Sequence, residues 1–76
     1  MKTTTAIRSI IDQAKKSGAL VQETSVTVMI SRIGATYWNE FDRVMIFADG
    51  TATKISSIGV NRQLKSHQAI KDVIGL

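Results

Sequence analysis

The 76-residue sequence has no cysteine, no proline, one tryptophan, one tyrosine and two phenylalanines. Without cysteine there is no disulfide framework and no thiolate site, so stability has to come from apolar packing, and the composition fits a reducing compartment. The longest uninterrupted apolar run is VMIFA (44–48), far short of the roughly 20 residues that cross a membrane. The start, MKTTTAIRSII, carries one lysine and interrupted apolar positions, and does not read as a signal peptide. The five glycines stand at 18, 34, 50, 59 and 75, a spacing that builds no phosphate loop. His67 is the only histidine, which rules out a multi-histidine metal site. A chain this short buries only about 60 to 65% of the surface its unfolded form exposes, so its core is thin.

What is present is a positive charge of +4, unevenly spread. Residues 1–22 hold Lys2, Arg8, Lys15 and Lys16 against Asp12, and residues 51–76 hold Lys54, Arg62, Lys65 and Lys71 against Asp72, so each end is +3. Between them, Glu23, Glu40, Asp42 and Asp49 against Arg32 and Arg43 give −2. Basic ends of this kind suit a polyanionic partner.

Thr3, Thr4 and Thr5 can cap a helix over about Thr4 to Ser17. Ile7, Ile10, Ile11 and Ala14 recur at i, i+3, i+4 and i+7, and Gly18 follows two lysines as a stop. From Thr24 the period changes to 2, and Val26, Val28 and Ile30 predict a strand with one buried face. The segment GATYWNEFD reads as a loop. RVMIFADGTATKI predicts a hairpin turning at Asp49-Gly50, with a loop of two or three residues. In the two-residue case Val44 faces Ile55 and Ile46 faces Thr53. SSIGV is then a connector, and NRQLKSHQAIKDVIGL predicts a second helix with Leu64, Ile70, Val73 and Ile74 on one arc, Asn61 or Ser66 as N-cap and Gly75 as its end. The expected architecture is a single α+β domain over 1–76: helix, three-stranded antiparallel meander, helix.

No nucleophile arrangement accompanies these elements. His67 falls inside the apolar arc of the second helix and reads as a rim histidine. Glu40 and Asp42 are spaced for one face of a strand, beside Arg43, and read as a solvated strand end. The expectation is a non-enzymatic, cytoplasmic binding protein that needs no cofactor and no membrane.

Three features compete to carry binding. Arg8, Lys15 and Lys16 on the first helix with Arg62, Lys65 and Lys71 on the second form a phosphate-binding set if the helices lie side by side. Tyr37 and Trp38 form an aromatic loop of the kind that anchors protein interfaces or stacks on bases. Met29, Ile33, Met45 and Phe47 fall on the sheet face opposite Val26, Val28, Ile30 and Ile46, and if both helices cover the latter face, the former is left for a dimer or a protein partner.

The order helix, three strands, helix resembles that of double-stranded-RNA-binding domains. NRQLKSHQ, however, offers only Arg62 and Lys65 where those domains carry a lysine cluster, and no proline is present for their Gly-Pro loop, so no family is assigned. By size the chain fits a bacterial or phage-type regulator or inhibitor. The leading expectation is a small basic nucleic-acid-binding regulator; the alternative is a protein-interaction or inhibitor module using Tyr37, Trp38 and the open sheet face.

Overall fold

In the computed structural model, which describes residues 1–76, the Thr4 hydroxyl accepts the Ile7 N–H at 3.2 Å and starts α1, Thr5–Lys16. Lys15 and Lys16 occupy its last turn, where cations complement the helix dipole. Five strands follow: β1 (Val21–Glu23), β2 (Thr27–Ser31), β3 (Arg43–Phe47), β4 (Ala52–Ile55) and β5 (Asn61–Leu64). The second helix, α2 (His67–Ile74), closes the chain, with the Ser66 hydroxyl capping the Ala69 N–H at 3.0 Å and Gly75 at φ +95° ending it. The strands form one antiparallel sheet in sequence order, β1-β2-β3-β4-β5.

Strand alternation sorts the sheet into two unlike faces. Val28 and Ile30, Val44 and Ile46, and Ala52 point one way and are buried with Ile7, Ile10, Ile11 and Ala14 of α1 and Ile70 and Ile74 of α2 in a single core. Both helices therefore lie on one side. The other face, built from Gln22, Thr27, Met29, Ser31, Arg43, Met45, Phe47, Thr53, Ile55, Asn61 and Gln63, has no helix over it, although Ser31 at its corner is buried, its hydroxyl accepting the Leu20 N–H at 2.8 Å.

The meander has five strands, not three. β1 has only three residues, too few for a period to show, and β5 takes the first four residues of the segment expected to be helical. Arg62 and Lys65 accordingly sit on β5 and in the link to α2, while His67, expected at a half-buried rim, is the exposed first residue of α2. The five-strand order also removes the likeness to double-stranded-RNA-binding domains, which rested on three strands. Val26 is exposed in the β1-β2 turn, because the Thr24 hydroxyl accepts the N–H groups of Val26 and Thr27 and bends the chain there. Ile33 packs on the core and not on the open face: its N–H donates to the Ile74 carbonyl, which draws it toward α2.

The hairpin at Asp49-Gly50 uses the three-residue loop. Phe47 N–H donates to Thr51 O at 2.9 Å and Gly50 N–H to Phe47 O at 3.0 Å, with Gly50 at φ +88°. The register that results pairs Val44 with Lys54 and Ile46 with Ala52, replacing the Ile55 and Thr53 partners of the shorter loop. The same closure recurs nine residues on. Ser56 N–H donates to Val60 O and Gly59 N–H to Ser56 O, both at 3.0 Å, with Gly59 at φ +90°. That repeat turns β4 back into β5.

One side of the sheet is tied to α1 by charge. Arg8 donates to both carboxylate oxygens of Glu23 at 3.0 and 2.9 Å, and the N-terminal ammonium adds a contact at 3.4 Å. The Arg8 hydrogen bonds pull the Glu23 carboxyl down to about 2. A carboxyl held below its unfolded value contributes stability that is complete above the ordinary carboxylate range and disappears as pH falls toward 2. Melting temperatures measured between pH 5 and pH 2 should therefore fall in wild type and fall less in Glu23→Gln. Equal slopes would show that the pair does not couple protonation to folding.

Candidate functional site

Sheet order decides how far the basic residues can work together. α1 lies toward β1 and carries Arg8, already bound to Glu23, and the exposed Lys15 and Lys16. α2 contacts β3, β4 and β5 and carries the half-buried Lys71. Arg62 and Lys65 are exposed at the β5 edge, the far side of the sheet from Arg8. The basic residues thus fall into two groups, one at each edge, with Lys71 between them on α2, over β3 to β5.

At the β5 edge, register adds a residue that sequence reasoning did not include. Lys54 of β4 stands directly opposite Arg62 of β5. Lys54 is also the partner of inward-facing Val44, so both cations lie on the helix side of the sheet. Like charges directly opposite each other across a strand pair repel and destabilise it. Asp42 approaches Lys54 at 3.8 Å, while Arg62 has no carboxylate within 4 Å. Between β5 and α2 these side chains open into a groove of about 650 Å³ lined by Lys54, Arg62, Leu64, Lys65, Ser66 and Asp72, among others. Its one carboxylate, Asp72, accepts from the Gln68 amide at 2.8 Å. Only knowledge of the β4-β5 register could have revealed the Lys54 and Arg62 pairing.

Glu40, Asp42 and Asp49 are likewise engaged, whereas Asp12 on α1 makes no hydrogen bond or ion pair. Glu40 accepts from Thr36 N–H and hydroxyl at 2.7 and 3.2 Å, and Asp42 accepts from Ser57 N–H at 3.1 Å. Asp49 accepts from the Thr51 hydroxyl and N–H at 2.7 and 3.0 Å, and these bonds lower its pKa. Of the ten Lys and Arg residues, two, Arg8 and Lys54, contact a carboxylate within 4 Å, which leaves eight without such a partner. No three of His, Asp and Glu converge into a set that could hold a metal ion.

The aromatic loop, residues 32–42, projects from the end of the sheet shared with the β4-β5 turn, and the Asp42 to Ser57 bond ties the two together. Tyr37, Phe41, Ile58 and Val60 are exposed there, Ile58 at 83%. Trp38 is half-buried and stands outside the core cluster beneath the helices. Sequence reasoning singled out Tyr37 and Trp38 but missed Phe41, Ile58 and Val60, because only the fold brings these segments to one end. On the open face, Met29 and Met45 are direct cross-strand partners and Phe47 pairs with Thr27.

No helix is long and apolar enough to cross a membrane. Comparison with protein-family models, with curated proteins and with solved structures finds no match to this chain.

Proposed function

We propose that the protein is a non-catalytic nucleic-acid-binding regulator of the cytoplasm, whose phosphate contacts centre on Lys54, Arg62 and Lys65. The observation that carries the reading is the pairing of Lys54 with Arg62 across two adjacent strands. An isolated chain gains nothing from opposing two cations there. A phosphate oxygen between them converts the repulsion into two charge-assisted hydrogen bonds. Eight cations without a carboxylate partner supply the longer-range field that draws a polyanion in. Lys15 and Lys16 are a second, more distant contact.

A mobility-shift titration with single-stranded and duplex probes at two salt concentrations tests this. Affinity is expected to fall steeply with salt, and the double substitution Arg62→Ala, Lys65→Ala should flatten the log–log slope by up to about two units, since each lost phosphate contact removes roughly one released counterion. Absence of any shift at low salt would sink the reading. The exposed Tyr37, Phe41, Ile58 and Val60 favour a second reading, a protein-interaction or inhibitor module. Its binding would respond weakly to salt and would be lost in Ile58→Asp.

A further inference from the structure

We propose that the helix-free face of the sheet is the interface between two copies of this chain, packed face to face about a two-fold axis that runs across the strands over Met45. The proposal stands apart from the nucleic-acid reading, because its surface and the Lys54 and Arg62 groove lie on opposite sides of the sheet.

Charge selects the occupant. None of the eleven outward residues of the five strands is acidic, and Arg43 alone is basic. A polyanion would find a single half-buried guanidinium, too little to hold it. A strongly charged protein would find no complement. A second copy meets no such obstacle: in a molecule of net charge +4, this is the side on which two chains approach with the fewest like charges opposed. Met45 is the middle residue of β3, and β3 is the middle strand, so Met45 marks the centre of the face. Beside it stand Met29 on one side and Thr53 on the other, a flexible thioether pair bordered by β-branched and amide side chains that suits an adaptable contact.

The same residues choose between the two axes that could lie in such an interface. An axis along the strands would set Arg43 beside the partner's Arg43. An axis across them places Arg43 over the partner's Phe47, because these residues end the same strand, two positions either side of Met45. The second arrangement removes the repulsion and lays a guanidinium on an aromatic ring, twice by symmetry. Five strands about 4.8 Å apart and five residues deep present roughly 400 Å². A standard interface buries about 800 Å² on each partner, so the dimer is expected to be weak and concentration-dependent.

The absence of cysteine makes the test direct. Sedimentation equilibrium without nucleic acid should show a monomer–dimer equilibrium in the micromolar range, and Met45→Glu, a change at a half-buried position on the helix-free face, should shift it to monomer by at least about tenfold in Kd. Met29→Cys and Met45→Cys should each be joined into a covalent dimer by a short bis-maleimide, because the axis across the strands brings each of these positions opposite itself across the roughly 10 Å between packed sheets, too far for a direct disulfide, while Ser57→Cys in the distant turn should not. Circular dichroism of each variant establishes that it is folded. A wild-type chain that stays monomeric at several hundred micromolar overturns the proposal. So does dimerisation that survives Met45→Glu or is abolished by Ile58→Asp, which would place the contact at the aromatic end. Cross-linking through Met45→Cys without Met29→Cys overturns the axis. Loss of nucleic-acid binding in a monomeric Met45→Glu, with wild type also monomeric, would assign the face to nucleic acid instead.

Discussion

Ile46→Ala is expected to lose about 3 kcal/mol of stability, and Met45→Ala, one residue away, less than about 1 kcal/mol when measured below the concentration at which chains associate. Ile46 is fully buried on the central strand, between Val28 and Ala52 in register, and beneath the helices. Removing its outer carbons forfeits their transfer free energy and leaves a cavity that Ala52 is too small to fill, which puts the change within the roughly 2 to 5 kcal/mol of such truncations. The total stability of a 76-residue domain is on the order of 4 to 11 kcal/mol, so the substitution removes a large part of it. For a domain of this size the midpoint should fall by about 12 to 24 °C. If the variant does not fold, Ile46→Val, at about 1 kcal/mol, carries the same comparison. Equal losses at 45 and 46 would mean that the face assigned as open is covered within the monomer.

The contrast between these neighbours also shows which parts of the fold were readable from sequence. α1 was legible because cap, period and stop agreed: Thr4, the Ile7 to Ala14 spacing and the glycine after Lys15 and Lys16 all point to one helix. The first hairpin was legible for the same reason. β5 is hidden in the sequence because Leu64 shares a helical arc with Ile70 and Ile74, and NRQL is too short to show a period of 2. The signal that identifies it is indirect. Gly59 repeats the Gly50 turn at a distance of nine residues, the length of one strand and one loop, and Ser66 supplies a second cap where the real helix begins. Val26 continues the alternation of Val28 and Ile30, which predicts it inside; the Thr24 side chain, hydrogen-bonding locally, overrides that pattern. For the candidate site the limit was different. The charges of Lys54 and Arg62 were visible, but their opposition is a property of register, set by a loop whose existence depended on recognising β5.

Arg62→Glu should make the protein more stable and worse at binding nucleic acid. In the wild type Lys54 faces a second cation across the β4-β5 pair, and the only nearby relief is Asp42 at 3.8 Å. The substitution places a carboxylate opposite Lys54 in a position that is exposed at the sheet edge, so no buried contact is lost. Opposite charges at directly facing positions contribute roughly 0.2 to 1 kcal/mol, whereas like charges subtract. Thermal melting should therefore rise by a few degrees at low salt, and the gain should shrink as salt screens the pair. Binding should change in the other direction, by about tenfold or more at low salt, because one phosphate contact disappears and a repelling charge takes its place. Both measurements are needed, since each removes a different alternative. A folded variant with higher stability and unchanged binding would leave the repulsion real but put the nucleic-acid contact elsewhere, with Lys15 and Lys16 the next candidates. A variant less stable than wild type would show that Lys54 and Arg62 do not oppose each other in solution, and the argument that a phosphate resolves their repulsion would fail with it.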